Sequence, residues 1–158
     1  YRPEADGERK VVRIVGCSTR GEADALALRM LRDVARAAGV EVTTVPAGRL
    51  VAEVVARKQR GEDVAAAIGA VSPGGLAQAA GLCKQLKARV PGVRVQVGRW
   101  GMTGDTAETE RFLVAAGADR VTWTLRETLA DLVPQTVADA TGKPKAEPAS
   151  AAKVTVPA

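Results

Sequence analysis

Short apolar runs alternate along this 158-residue chain with longer stretches in which apolar residues recur at helical spacing. The most continuous run, residues 64–71, has no polar position and consists mostly of small side chains. A strand of this kind is typical of a parallel sheet that helices cover on both faces. The run ends in the loop 72–75, and an amphipathic helix follows. The same unit of strand, glycine loop and helix recurs at 11–38 and 93–117.

The complete pattern predicts five strands, each followed by a helix. The strands are expected at 11–15, 40–45, within 64–71, at 93–97 and at 120–124. The helices are expected at 22–38, 47–60 and 76–89, then from Asp105 to a stop at Gly117 and from Thr124 to a stop at Pro134. Such alternation gives right-handed crossovers and helices on both faces of the sheet. We therefore predict a three-layer α/β fold whose five parallel strands take the flavodoxin-like order 2-1-3-4-5.

Local signals indicate how the helices begin and which sides they bury. Thr19 with Glu22 has the spacing of a capping box. Asp105 and Glu108 are expected to cap the fourth helix, and Thr124 and Glu127 the last one. The inward side of the first helix is expected to hold Ala27, Leu31, Val34, Ala35 and Ala38. The fourth helix is expected to hold Phe112, Leu113 and Ala116.

The two ends of the chain differ from its centre. Residues 1–10 are polar and contain Pro and Gly, which predicts a linker before a single domain at 11–133. Residues 134–158 are dominated by Ala, Pro, Thr and Lys without periodicity, which predicts a flexible tail. The sequence begins at Tyr1 and not at Met, so we expect a fragment or a processed form. No apolar run is long enough to predict a membrane-spanning helix.

Composition excludes several classes of chemistry. The chain has no histidine, which removes Ser-His-Asp catalysis and histidine ligands for metals. Its two cysteines, Cys17 and Cys83, lack the spacing of a zinc site. The net charge of +5 is modest and aromatic residues are 3% of the chain, so nucleic-acid binding is not predicted. No catalytic residue, metal site or cofactor is assigned, and a cytoplasmic location is expected.

Loops that follow parallel strands lie together at one edge of the sheet. Here they are 16–21, 72–75 and 98–104, which we call the rim. Backbone N–H groups, helix N-termini and two arginines predict a small anionic ligand there. The candidate binding residues are Ser18, Thr19, Arg20, Ser72, Gly74, Gly75, Arg99 and Trp100. The competing interpretation is that these glycines only allow tight turns and that no ligand binds at the rim.

Individual rim residues also have simpler interpretations. Trp100 either covers a flat ring of a ligand or packs over a strand end, and packing is favoured. Cys17 precedes a helix start, a position that lowers a thiol pKa, but no histidine is present to act as its base. A small residue in a tight turn is therefore the favoured interpretation of Cys17. Cys83 is expected in the core. Asp24 is expected to complement the dipole at the start of the first helix.

Several segments resemble those of a known family. They are Ala67–Gly75 with the sequence AIGAVSPGG, 82–91 with LCKQLKARVP, 97–101 with VGRWG, 24–31 with DALALRML, and 117–119 with GAD. Together they make residues 11–133 similar to the C-terminal cytosolic domain of bacterial permeases of the autoinducer-2 exporter family. That domain is itself similar to cobalamin-binding Rossmann-like domains, so the resemblance implies a cobalamin-binding-like fold.

The resemblance also carries an expectation about function. It implies a non-catalytic cytosolic regulatory or ligand-sensing domain, joined through residues 1–10 to the membrane domain of a transporter at the inner face of the bacterial plasma membrane. The chain departs from cobalamin domains that use Asp-x-His-x-x-Gly after the first strand, since its loop 16–21 reads GCSTRG. The alternatives are a stand-alone nucleotide- or cobalamin-like-binding protein, a small enzyme, and an oligomer formed through an exposed helix face.

Overall fold

Five parallel strands form one sheet in the order β2-β1-β3-β4-β5. The computed structural model describes residues 13–104 and 106–132, so the predicted linker 1–10 and tail 134–158 lie outside the described residues. The strands are β1 (Arg13–Ser18), β2 (Glu41–Thr44), β3 (Val64–Gly69), β4 (Arg94–Gly98) and β5 (Arg120–Thr122). The predicted fold class and strand order are confirmed, and the carboxyl ends of all five strands therefore meet at one rim.

Helices cover both faces of this sheet. They are α1 (Gly21–Ala37), α2 (Leu50–Gln59), α3 (Leu76–Arg89), α4 (Thr106–Ala116) and α5 (Leu125–Leu132), with short 3-10 turns at Ala47–Arg49 and Pro73–Gly75. Helices α1 and α5 contact each other on one face, and α2, α3 and α4 form a row on the other face. Because α1 and α3 leave neighbouring strands toward opposite faces, the topological switch point of the sheet lies between β1 and β3.

Strand β3 supplies both hydrophobic cores. All six of its residues are buried, as the uninterrupted apolar run predicts. Ala66 and Ile68 pack on the side of α2, α3 and α4, whereas Ala65 and Ala67 pack on the side of α1 and α5. The small alanine side chains let the helix layers approach the sheet closely.

The buried side of α1 differs from the predicted one. The helix buries Asp24, Leu28, Leu31 and Ala35, whereas Val34 is 43% exposed and Ala38 is exposed. Phe112, predicted to face inward on α4, is 49% exposed. Both helices therefore present large apolar side chains to the surface in addition to those in the core.

Of the two predicted helix caps whose residues are all described, the one at α5 forms. At α5, the backbone N–H of Glu127 donates to Thr124 Oγ1 at 3.1 Å, and the Glu127 carboxylate accepts from the Trp123 N–H. At α1 the prediction is wrong, because the N-cap is Arg20 and its side chain makes no capping hydrogen bond. The Thr19 hydroxyl donates to Asp24 instead. The predicted cap Asp105 lies outside the described residues.

No helix among the described residues is long and apolar enough to span a membrane.

Replacing Gly81 with alanine is expected to stabilise the domain by about 0.5–1 kcal/mol. Gly81 lies inside α3, its φ is negative, and a Cβ at this position meets no atom within 4 Å. Urea unfolding measures the change. Gly117→Ala is the contrasting variant, because Gly117 has φ +119° and its Cβ would lie 3.2 Å from the Cys83 carbonyl oxygen. A loss of stability in Gly81→Ala would contradict the packing described for α3.

Candidate functional site

The carboxylate of Asp24 joins two rim loops at the switch point. Asp24 lies in the first turn of α1 and is fully buried. Its Oδ2 accepts from Thr19 Oγ1 at 2.6 Å and from the backbone N–H of Arg20 at 2.8 Å. Its Oδ1 accepts from the N–H of Val71 at 3.0 Å, and from the N–H and hydroxyl of Ser72, both at 2.8 Å. One carboxylate thus satisfies five donors from the loops after β1 and β3.

This environment keeps Asp24 ionised. Burial raises the pKa of the carboxyl, because a charge is poorly solvated in the protein interior. The hydrogen bonds from Thr19, the Arg20 backbone and Ser72 act in the opposite direction and outweigh it, so the pKa of Asp24 lies below its ordinary value. The group is therefore a buried anion at neutral pH.

Glycines at 74 and 75 let the two loops approach each other. A Cβ on Gly75 would collide with Thr19 Oγ1, which is the group that donates to Asp24. A Cβ on Gly74 would lie 3.1 Å from Arg20 Nη1, so the exposed Arg20 guanidinium lies over this glycine. Glycine is needed at both positions because the side chains of Thr19 and Arg20 occupy the space that a Cβ would fill.

Arg99 brings the loop after β4 to the same place. Arg99 is 6% exposed, and its Nη1 donates to the carbonyl oxygens of Ala70 at 2.8 Å and Ser72 at 3.5 Å. Among residues 13–104 and 106–132, its buried Nε has no hydrogen-bond partner and no carboxylate forms an ion pair with it. Burial lowers the pKa of the guanidinium, and the charge of Asp24 opposes this shift. Arg99 remains a cation, since arginine stays protonated in proteins.

Two of the predicted site residues lie elsewhere. Ser18 lines an open cleft of about 770 Å³ between α1 and the end of β2, together with Glu22, Arg29 and Thr44. Trp100 lies toward α5. The structure therefore groups Thr19, Arg20, Ser72, Gly74, Gly75 and Arg99, and it separates Ser18 and Trp100 from them.

The Trp100 indole covers the ends of two neighbouring strands. A Cβ on Gly69 would lie 3.3 Å from the ring, and a Cβ on Gly98 would overlap it. The indole N–H donates to Thr128 Oγ1 at 2.7 Å, and that hydroxyl lies 2.7 Å from Thr122 Oγ1. The ring packs against the core on the side of α1 and α5. This matches the prediction that Trp100 packs over a strand end.

The two thiols are unsuited to nucleophilic chemistry. Burial raises the pKa of Cys17 to about 12, with a smaller contribution from Cys83. Burial also raises the pKa of Cys83 to about 12, with a smaller contribution from Asp119. The helix start after Cys17 does not lower the pKa of this thiol, because the side chain is fully buried in the core. Within the described part of the chain, no group of three or more His, Cys, Asp or Glu could hold a metal ion.

Asp24 is the residue whose role the sequence did not reveal. It was expected to complement the dipole of α1, and it does accept the Arg20 N–H at the start of that helix. Its contacts to Val71 and Ser72 span 47 and 48 residues along the chain. The sequence does contain an acid, then a strand of small residues and a Ser-Pro-Gly-Gly loop. Without the fold, this pattern does not indicate that the acid hydrogen-bonds to that loop.

Comparison with known proteins supports the fold and no finer assignment. No protein-family model and no curated protein sequence matches this chain. A monomethylamine corrinoid protein from Methanosarcina barkeri is similar in structure, with TM-score 0.60 and 16% identity over 77% of this chain. This chain spans 56% of that protein's length. Two-electron reduced Megasphaera elsdenii flavodoxin aligns with TM-score 0.46 and 15% identity, over 72% of this chain and 84% of the flavodoxin. The strand order and the likeness to the corrinoid protein show a flavodoxin-like, cobalamin-binding-like α/β fold.

Proposed function

We propose that this domain is a non-catalytic ligand-sensing domain that binds a small anionic compound at the rim, beside Asp24. The observation that carries the proposal is Arg99, a nearly buried cation with an unpartnered Nε and no ion pair among the described residues. The exposed Arg20 guanidinium lies over Gly74 in the adjoining loop. Two guanidinium groups beside one internal carboxylate leave the site with excess positive charge.

The donors for such a ligand differ from those that the sequence suggested. The N–H groups of Arg20, Val71 and Ser72 already donate to Asp24. An incoming anion therefore depends on the arginine side chains, which form charge-assisted hydrogen bonds with phosphate or carboxylate oxygens. This favours a ligand with a phosphate or carboxylate group that approaches from solvent above Gly74.

The position suits sensing because it lies where the two helix layers separate. The loop after β1 leads to α1 on one face, and the loop after β3 leads to α3 on the other. A ligand held by Arg20 and Arg99 contacts the loop after β1 directly, and Arg99 links it to the loop after β3 by donating to the Ala70 and Ser72 carbonyls. Such a ligand favours one relative position of the two loops. A ligand shifts such an equilibrium by its difference in affinity for the two states.

We further propose that the partner is the membrane domain of a transporter, joined through residues 1–10. The resemblance of residues 11–133 to exporter cytosolic domains supports this. A gene sequence that encodes membrane-spanning helices immediately before residue 1 is the expected finding. A start codon at that point would contradict the tether and leave the rim site untouched.

The alternative is a stand-alone protein that binds a nucleotide or a corrinoid. The likeness to a corrinoid protein supports it at the level of fold. The residues present do not fit a corrinoid held by a protein histidine, because the chain has none. A flat ring that enters between the ends of β3 and β4 would also have to displace Trp100 from Gly69 and Gly98. We therefore favour the smaller anionic ligand.

Thermal unfolding of the full chain with inorganic phosphate, adenosine monophosphate, glucose 6-phosphate and cobalamin tests the proposal. A ligand at ten times its Kd stabilises the folded state by about 1.4 kcal/mol, which raises the Tm of a domain of this size by about 4–8 °C. We expect a rise with at least one phosphate compound and its loss in Arg20→Ala. Arg126→Ala, which removes another exposed arginine, should retain the rise. No rise with any compound, or an equal rise in both variants, would contradict the site.

A further inference from the structure

The outer side of α1 carries a second apolar stripe that the described part of the chain leaves exposed. It consists of Ala23, Leu26, Met30, Val34 and Ala37, which we call the outer stripe. Leu26, Met30 and Val34 are 52%, 51% and 43% exposed, and both alanines are exposed. The helix thus has one apolar side for the sheet and another for solvent. Exposed apolar patches on a helix commonly mark interaction surfaces.

The outer stripe is symmetric about Met30. Its positions are separated by three, four, four and three residues. A two-fold axis perpendicular to the helix beside Met30 therefore brings Leu26 of one copy against Val34 of the other. It also brings Ala23 against Ala37 and Met30 against itself. A two-fold interface requires this self-complementarity, because the same patch serves both partners.

The charges along the stripe fit the same arrangement. Glu22, Arg29, Asp33 and Arg36 are exposed and lie on one flank of the stripe. In an antiparallel pair, each flank of one helix lies against the same flank of its partner. Glu22 then lies near the second copy's Arg36, and Arg29 lies near the second copy's Asp33. A parallel two-fold pair would instead place this flank against the opposite flank of its partner, so these opposite charges would not meet.

We propose that α1 is a self-association surface that pairs antiparallel with α1 of a second copy of this chain, about a two-fold axis beside Met30. The 17-residue helix is about 25 Å long, so the contact is at the small end of specific interfaces. The dimer is therefore expected to be weak and dependent on concentration. The rim residues Arg20 and Arg99 take no part in this surface, so the inference stands apart from the proposed function.

A cysteine crosslink tests the register of the pair. Met30→Cys places one thiol from each copy at the two-fold axis, whereas the native Cys17 and Cys83 are fully buried. Under a mild oxidant, we expect covalent dimer to form at least about tenfold faster than in Phe112→Cys, because pairing raises the effective thiol concentration. Phe112 is the matched control, an exposed apolar residue on α4. Equal rates in the two variants would overturn the proposal.

A charge swap tests the orientation, with sedimentation analysis of the full chain from micromolar to millimolar concentration as the measurement. Glu22→Arg and Arg36→Glu are each expected to weaken dimerisation about three- to tenfold, because each places like charges together. The double variant Glu22→Arg/Arg36→Glu is expected to restore it. A monomer at all concentrations, or two single variants that dimerise like the wild type, would overturn the proposal. The chain also stays monomeric if its own residues 133–158 cover α1, or if α1 binds lipid instead of a second copy. Either outcome overturns the proposal in the same way.

Discussion

Replacing Asp24 with asparagine is expected to lower the free energy of unfolding at pH 7 by about 3–5 kcal/mol. The amide has one acceptor oxygen and an NH₂ group, so it cannot accept all five hydrogen bonds that the carboxylate accepts from Thr19, Arg20, Val71 and Ser72. The buried donors left without partners are the main cost. A loss of this size is a large part of the total stability of an ordinary domain, about 5–15 kcal/mol.

Urea unfolding of both proteins measures this loss. Asp33→Asn is the control, because Asp33 is an exposed acid on the same helix and should change stability by less than about 0.5 kcal/mol. A similarly small effect of Asp24→Asn would show that the carboxylate does not hold the two loops together.

The effect of Asp24 should depend on pH in a definite direction. Its pKa is lower in the folded state than its ordinary value, so its ionised form stabilises the fold at pH values above the unfolded-state pKa. That stabilisation is lost as the pH falls through the folded-state pKa. The stability difference between wild type and Asp24→Asn should therefore be constant near neutral pH and shrink in acid.

Replacing Gly98 with alanine is expected to cost about 2–4 kcal/mol. The added Cβ would overlap the Trp100 indole, which is a rigid ring held by its hydrogen bond to Thr128. The ring has to leave its position over the strand ends, and the N–H···O bond is lost. Urea unfolding gives the stability change, and tryptophan fluorescence reports the displaced ring, with Trp123 present in all variants.

A double-mutant cycle separates this contact from any general intolerance of a side chain at Gly98. In a Trp100→Ala background, Gly98→Ala should cost less than about 1 kcal/mol, because the colliding ring is gone. Gly92→Ala is the matched control, since a Cβ there meets nothing within 4 Å. A full cost of Gly98→Ala in the Trp100→Ala background would contradict the placement of the indole.

Apolar periodicity was sufficient to predict the sheet. The run 64–71 lacks polar positions because β3 is buried on both faces, and every residue of Val64–Gly69 is buried. Breaks at glycine and proline placed the other elements correctly within a few residues. Alternation of strands and helices then restricts the topology strongly, because parallel crossovers take one hand.

The buried side of α1 could not be predicted from periodicity. The helix has apolar residues both on its sheet side, such as Leu28 and Leu31, and on its outer stripe, such as Met30 and Val34. The sequence pattern alone does not distinguish two adjacent apolar sides. The burial of Asp24 decides the orientation, because its carboxylate must reach the loop after β3.

The candidate site was predictable in location and not in detail. Parallel strands bring the rim loops together whatever their sequence, so Thr19, Arg20, Ser72 and Arg99 were found as neighbours. Their pairing depends on side-chain directions set by tertiary packing. Ser18 and Trp100, which adjoin these residues in sequence, therefore point to a separate cleft and to α5.

The central claim is that the ionised Asp24 carboxylate joins the loops after β1 and β3, and amide NMR tests it most directly. The Val71 and Ser72 N–H resonances of the wild type should titrate together in acid, with a pKa below the ordinary aspartate value of about 3.9. In Asp24→Asn these resonances should move upfield and lose that titration. Resonances that titrate at the ordinary value, or that are unchanged in Asp24→Asn, would contradict the account.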